Sequence, residues 1–352
     1  MDSTTAGVDL AKNLITVCAQ DPSGRTVERR DLRRDGFLAW LRRLPMGCLV
    51  GMEACSAAHY WAREMAAMGL VARIMAAEFV QPFRKSRAGK NDRNDAEAIA
   101  IAVREANMRF VPVKSVEQQA RLARHRVREG WKEERTALGN RIRGLLAEFG
   151  VVIPKSQAAL GRALAEALHD ERLPGPVREL VRESREHLEV LGQRIAHCDR
   201  AIGLACRGDP ATTRLRELCG VGPTVADAAV ATIGDARAFR NGRQFAAWLG
   251  MTPRQFSSGG VTRLGGITRR GDAYLRTLLI QGARSALKSA RNQAPDRASR
   301  LQQWIVQLYA RVGYQKTLVA IANKNARVIW ALLARDEAYN PEAWKAYQPS
   351  SP

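Results

Sequence analysis

Two serines, Ser257 and Ser258, stand in Pro253-Arg-Gln-Phe-Ser-Ser-Gly-Gly260, where the glycines let backbone approach a ligand closely. Arg254, Arg263, Arg269 and Arg270 flank them, and guanidinium groups bind phosphate oxygens through paired hydrogen bonds. A hydroxyl set among arginines is how a nucleophile would be presented to a phosphodiester. Taken alone, Ser-Ser-Gly-Gly reads equally as an ordinary turn. Its setting argues for more: Arg237 to Arg335 holds 18 basic residues against Asp272 and Asp296, a net +16 of the chain's +21.

Four acids lie at the other end of the chain. Asp9 interrupts the apolar strand Val8-Asp9-Leu10, and a lone buried carboxylate is costly unless it binds something or changes its ionisation. Glu53 closes the apolar run Leu49-Val-Gly-Met-Glu53 in the same way. Asp92 and Asp95, three apart at the start of a predicted helix, face one side. Each acid has a plain explanation singly, as turn former, strand end or helix cap. Together they are what two divalent cations need, and metals about 3.5–4 Å apart activate an oxygen nucleophile and stabilise the oxygen leaving phosphorus. Without metal, four such groups repel and take up protons. Magnesium is the expected ion, with manganese as a substitute. Glu97, two residues past Asp95, falls on the opposite side of the helix and is left out.

The elements that must carry these groups follow from pattern. Residues 6–19 read as two strands around a turn near Lys12-Asn13, and 25–33 as a third antiparallel strand. A helix over 36–44, a buried strand over 48–53, a helix over 56–68 capped by Ser56, and a strand over 70–75 follow. Lys85 to Lys90 reads as a basic loop and 92–106 as a helix. Strands first, then alternation, predict a mixed sheet with helices on its faces. From Ser115, a helical stripe of Leu122, Trp131, Leu138, Ile142, Leu145 and Phe149 runs to Pro154. After Pro174-Gly-Pro176, Leu188, Leu191, Ile195, Cys198 and Ile202 define a second long helix. The two form an antiparallel pair or coiled coil, serving either as an arm packed on its own domain or as a dimerisation arm.

Gly220 and Gly222 in Leu218-Cys-Gly-Val-Gly-Pro223 predict a helix-hairpin-helix turn whose amides can hold a phosphate. Helices are expected over 241–249, over 272–291 with Arg276 on it, and over 316–334 with Lys324 and Arg327; the tail runs from about residue 340.

At 352 residues, 46% apolar, the chain is globular with room for two or three domains, and its pI near 10.6 indicates a polyanionic partner, nucleic acid first. No apolar run approaches the roughly 20 residues of a membrane span, and no signal peptide is evident, so the expected location is cytoplasmic. Six cysteines show no C-x-x-C pair and read as small buried residues, without zinc or disulfides. The five histidines carry no assigned role.

Gly7-Val-Asp-Leu-Ala-Lys12, Met52-Glu-Ala54, Lys90-Asn-Asp-Arg-Asn-Asp-Ala-Glu-Ala98, Leu249 to Gly260 and Arg270-Gly-Asp-Ala-Tyr-Leu-Arg276 resemble the insertion-sequence transposases with an N-terminal DEDD domain and a C-terminal serine domain. Piv-type DNA invertases are similar. The likeness runs from about residue 5 to about 335. It implies an α/β RNase H-like (RuvC-like) domain over 1–114, with Asp9, Glu53, Asp92 and Asp95 as a metal-binding tetrad. An α-helical, coiled-coil linker and oligomerisation region over 115–206 would follow. A mostly α serine domain with the helix-hairpin-helix element would occupy 207–338, and a tail 339–352. It further implies Ser258 as recombination nucleophile, with Ser257 as the neighbour not excluded. The implied partners are double-stranded donor and target DNA, a structured noncoding guide RNA (bridge RNA) and other copies of the chain, as dimer or tetramer; the location would be the nucleoid of a prokaryote.

Arg254, Arg263, Arg269, Arg270, Arg276, Lys324, Arg327, Gly220 and Gly222 are the candidate nucleic-acid contacts. Two rival readings stay open: a junction-resolving nuclease that uses only the tetrad and water, and a nucleic-acid-binding protein without catalysis.

Overall fold

The computed structural model describes residues 4–84, 92–294 and 296–341, with the side chain of Asp92 outside that set. Two compact units divide the chain, Met1–Val116 and Glu117–Pro352.

In the first unit, strands β1 (Thr5–Leu10), β2 (Ile15–Gln20) and β3 (Thr26–Leu32) form an antiparallel meander. Helix α1 (Arg34–Leu41), β4 (Leu49–Glu53), α2 (Ala58–Ala67), β5 (Val71–Met75), the short α3 (Ala77–Val80), α4 (Asp92–Ala102) and β6 (Phe110–Val111) follow. The sheet order is β3-β2-β1-β4-β5-β6, with β1, β4 and β5 mutually parallel and the other pairs antiparallel. The predicted mixed sheet is therefore present. Buried Val8, Val17, Val50, Met52 and Ile74 fill one layer with Phe37, Trp61 and Met65 from α1 and α2. Phe37 meets Trp61 edge-on at 4.8 Å between ring centroids, a favoured aromatic geometry.

Details depart from expectation. Ser56 does not cap α2; the cap position is Ala57, held at φ 71° without a side-chain bond. Helix α4 stops at Ala102, four residues short. The basic loop at 85–90 lies outside the described residues, as does the tail beyond 341.

The second unit is nearly all helical: α5 (Val116–Ala147), α6 (Gln157–Ala167), α7 (Gly175–Arg207), α8 (Pro210–Leu215), α9 (Pro223–Ile233), α10 (Gly242–Trp248), α11 (Ala273–Asn292), α12 (Arg300–Val312) and α13 (Tyr314–Arg335). Its two short strands, β7 (Pro253–Gln255) and β8 (Leu264–Ile267), pair antiparallel. The two long helices α5 and α7 run antiparallel: Arg128 bonds Asp199, Arg194 lies over Trp131, and His187 bonds Glu134, so partners descend along one as they ascend along the other. Leu145 is exposed and Leu146 takes the buried place, since the core row runs Leu138, Ile142, Leu146 in steps of four; Phe149 is exposed beyond the end of α5, which lies at Ala147 and not at Pro154. Helices α6 and α12 were not foreseen. No helix among the described residues is long and apolar enough to cross a membrane.

Candidate active site

The acids of the first unit converge through strand register. Parallel pairing places Val8 opposite Met52, so the next residues, Asp9 and Glu53, leave neighbouring strands side by side. Two residues before each stands a glycine on the same face of the sheet. A methyl on Gly7 would lie 2.0 Å from the Ala96 carbonyl oxygen, and one on Gly51 would lie 2.8 Å from Val103 Cβ. These glycines let α4 lie directly on β1 and β4, and its first turns carry Asp95 down to the two strand ends. Asp95 is 5% exposed there.

A single guanidinium joins two of the acids. Arg84 Nη2 is 3.2 Å from Glu53 Oε1 and its Nε is 2.9 Å from Asp95 Oδ1. Local packing, followed by the charges of Asp9 and Glu53, pushes the nearby Cys55 thiol up, so both carboxylates lie within electrostatic reach of that sulfur. Cys55 is exposed, against the expectation that all six cysteines are buried. Glu97 pairs with Arg29 on β3, away from the other acids. Among the described residues no three His, Cys, Asp or Glu side chains are grouped tightly enough to hold a metal, and the side chain of Asp92 is not among them. The donor set nevertheless fits a hard divalent cation: all its members are carboxylates, and Glu53 and Asp95 already share one cationic group.

The serines of the second unit stand on a hairpin, not an irregular loop. Phe256 N–H donates to the Arg263 carbonyl at 2.8 Å and Val261 N–H to the Ser258 carbonyl at 3.1 Å. Gly259 and Gly260, at φ 58° and 79°, are the two central residues of a tight turn that needs positive φ at both. Ser258 thus precedes the tip directly, and both serines are exposed. Ser257 Oγ accepts from Gln255 Nε2 at 2.9 Å. Among the described residues no acid or imidazole bonds either hydroxyl.

The hairpin stem is clamped. A methyl on Gly250 would lie 2.2 Å from the Arg270 carbonyl oxygen, and one on Gly271 would lie 1.8 Å from that of Trp248. Arg276 Nη1 donates to the carbonyls of Leu249 and Arg270, each at 2.8 Å, so this side chain fastens the stem. Arg254, Arg263, Arg269 and Arg270 are exposed around it. Gly220, at φ 86°, lies against α11, where a methyl would come within 2.5 Å of the Gly282 carbonyl oxygen. Gly222 is the N-cap of α9 with open space beside it, in a recess of about 690 Å³ also lined by Arg128, Lys132 and Arg216. Lys324 and Arg327 lie on α13, with the Lys324 ammonium 4.9 Å from the Trp304 ring centroid.

A DEDD transposase domain model of the IS110 type matches residues 6–150, and one described as Transposase IS116/IS110/IS902 family matches residues 212–299. A probable family 20 transposase of Pseudomonas aeruginosa is 46% identical over 97% of this chain and all of its own length. The chain belongs to the IS110/IS116/IS902 transposase family. A transposase for insertion sequence element IS1111A of Coxiella burnetii is 37% identical over 96% of this chain and 92% of its own. One for element IS1328 of Yersinia enterocolitica is 33% identical over 96% and 98%. As an IS110-family transposase the chain is an enzyme, and the two matched regions hold the four acids and the serine hairpin respectively.

Arg84 and Cys55 are residues at the transposase's acidic site that sequence reasoning missed. Nothing in the spacing marks Arg84; it reaches the acids from a turn after α3 that only the folded chain brings near.

A buried network in the second unit was missed as well. His125 and Asp227 are both fully buried, with Nε2 2.9 Å from Oδ2, while His125 Nδ1 meets the Tyr274 hydroxyl at 3.0 Å. Arg121 bonds Asp227 and Asp209 at 2.8 Å each. Burial alone would raise the Asp227 carboxyl, but the His125 hydrogen bond and the Arg121 charge outweigh it and hold it below the usual range. The network joins α5 to α9 and α11.

Proposed function

We propose that this transposase cuts and rejoins DNA by transferring a phosphodiester through Ser258, with Asp9, Glu53, Asp92 and Asp95 as the metal-binding tetrad. One observation carries the reading: an exposed hydroxyl on a rigid hairpin ringed by arginines, in a chain whose other unit gathers carboxylates around a shared cation. The sheet order β3-β2-β1-β4-β5, with acids at the ends of β1 and β4, supports an RNase H-like (RuvC-like) reading of residues 1–114. Residues 115–206 act as the oligomerisation arm, 207–338 as the serine domain and 339–352 as its tail.

Magnesium bound by the tetrad would polarise the scissile phosphate and neutralise developing charge. Ser258 Oγ bonds to phosphorus as the scissile P–O bond breaks, and its proton leaves to solvent or a carboxylate. The departing DNA oxygen takes up a proton and is free as a hydroxyl. A hydroxyl of the partner strand then attacks the phosphoserine, regenerating Ser258 without nucleotide hydrolysis. Arg254, Arg263, Arg269 and Arg270 hold flanking phosphates, while Arg276 keeps the stem rigid. Since the hairpin itself carries no acid, its carboxylates come from the first unit of this or another copy, and the family resemblance supports a dimer, or a tetramer when two DNA sites are paired. The exposed apolar side chains of Phe256 and Val261 near the tip support burial against another copy. The family resemblance supports a structured noncoding RNA as the guide to donor and target.

The test is strand exchange on donor and target DNA with that RNA. Asp9→Asn and Ser258→Ala are both expected to abolish exchange while retaining DNA binding. Cleavage that persists in Ser258→Ala would favour the nuclease, full exchange in Asp9→Asn would remove the tetrad from the chemistry, and DNA binding by the wild type without any cleavage or exchange would favour a purely binding role.

A further inference from the structure

Helix α13 has two faces of different kinds. Leu318, Ile321, Ala322, Ala326, Ile329 and Leu332 are buried in the core. The opposite face, Lys316, Val319, Ala320, Lys324, Arg327 and Ala331, recurs at helical spacing and lines an open groove of about 1580 Å³. Trp304 from α12 and Leu264 to Ile267 of β8 form other parts of its wall. Small and apolar side chains make the floor, while Arg243, Lys316, Arg327 and Arg335 are exposed cations around it, against one carboxylate, Glu337, 3.9 Å from Arg335. The Lys324 ammonium is held over the Trp304 ring at 4.9 Å.

This combination discriminates among occupants. A protein segment would suit the floor but not the ring of positive charge. A duplex would suit the charge, yet it presents phosphates outward and keeps its base faces stacked, with nothing to cover the floor. An unpaired strand offers both base faces and phosphates, the pairing that single-strand grooves use. We propose that this groove binds an unpaired segment of the DNA strand that leads to the serine hairpin. The inference rests on the reading of Ser258 as acting on DNA, because β8 is at once a groove wall and the second strand of that hairpin. Burial, then the neighbouring Arg327 charge, pushes the Lys324 ammonium down to about 8, so an arriving phosphate would favour its charged form.

The experiment measures binding of the full chain to a labelled 12-nucleotide single-stranded DNA, its duplex and an RNA of the same sequence, at fixed salt. Lys324→Ala is expected to weaken the single strand on the order of three- to tenfold and to weaken the duplex distinctly less. Ala331→Glu, which places a carboxylate on the floor, is expected to do the same, with thermal unfolding verifying that each variant folds. The proposal is overturned if neither variant weakens the single strand, if the duplex loses as much, or if only the RNA responds. Strand exchange by the wild type and by Ser258→Ala is scored separately. Oligonucleotide binding that ignores both variants while exchange depends on Ser258 removes the groove assignment alone; exchange that ignores Ser258 removes the reading beneath it.

Discussion

Arg84 holds Glu53 and Asp95 together by charge, in a place where a divalent cation would also be held. Removing it leaves two partly buried carboxylates facing each other with less compensation. Arg84→Ala is therefore expected to lower the melting temperature in chelator and to regain most of the loss on adding millimolar magnesium. Equal loss with and without metal would show that Arg84 is structural only. The same cluster shows how far single residues could be read from sequence. Asp9 and Glu53 were legible because a charge at an apolar strand position is anomalous in itself. Arg84 was not, since one arginine among 56 basic residues carries no local signal and its partners are 31 and 11 residues away.

At the scale of elements, the hairpin stem depends on two glycines. Gly250→Ala meets both a backbone oxygen and an unfavourable positive φ, the latter alone costing about 1–3 kcal/mol. Its exchange activity should fall with the fold retained, read as lost activity beside unchanged far-UV circular dichroism; wild-type activity would contradict the clamped stem. The buried network makes a different prediction. Asp227→Asn leaves Arg121 undercompensated, and breaking a buried pair typically costs about 3 kcal/mol or more. Because the folded carboxyl lies below its ordinary range, this stabilisation is complete above the unfolded value of ~3.9 and is lost as pH falls through the lower folded one. Denaturant unfolding should show a wild-type advantage over Asp227→Asn that is constant near neutrality and shrinks in acid. Tyr274, His125, Arg121, Asp209, Cys206 and Arg128 face Asp227 or its partners, and none of the network was visible in sequence because its members are brought together from α5, α7, the start of α8, α9 and α11. Strand alternation and the long helical stripes, by contrast, were plain. Helix α12 went unread although its sequence marks it twice: Ser299 and Gln302 form a full capping box, and Leu301, Trp304, Ile305 and Leu308 recur at helical spacing.

For the whole molecule, acids and hydroxyl from separate units must act on one phosphorus if Ser258 is the nucleophile. If they come from different copies, mixing Asp9→Asn with Ser258→Ala should restore exchange that neither performs alone; no restoration would place both in one copy. The more direct measurement is of the covalent bond itself. The wild-type transposase is incubated with DNA and guide RNA, denatured, digested with protease and nuclease, and its peptides weighed. A nucleotide phosphate attached to Ser258, absent in Asp9→Asn, is the predicted result. An adduct on another residue, or cleaved DNA with no adduct at all, would contradict the account.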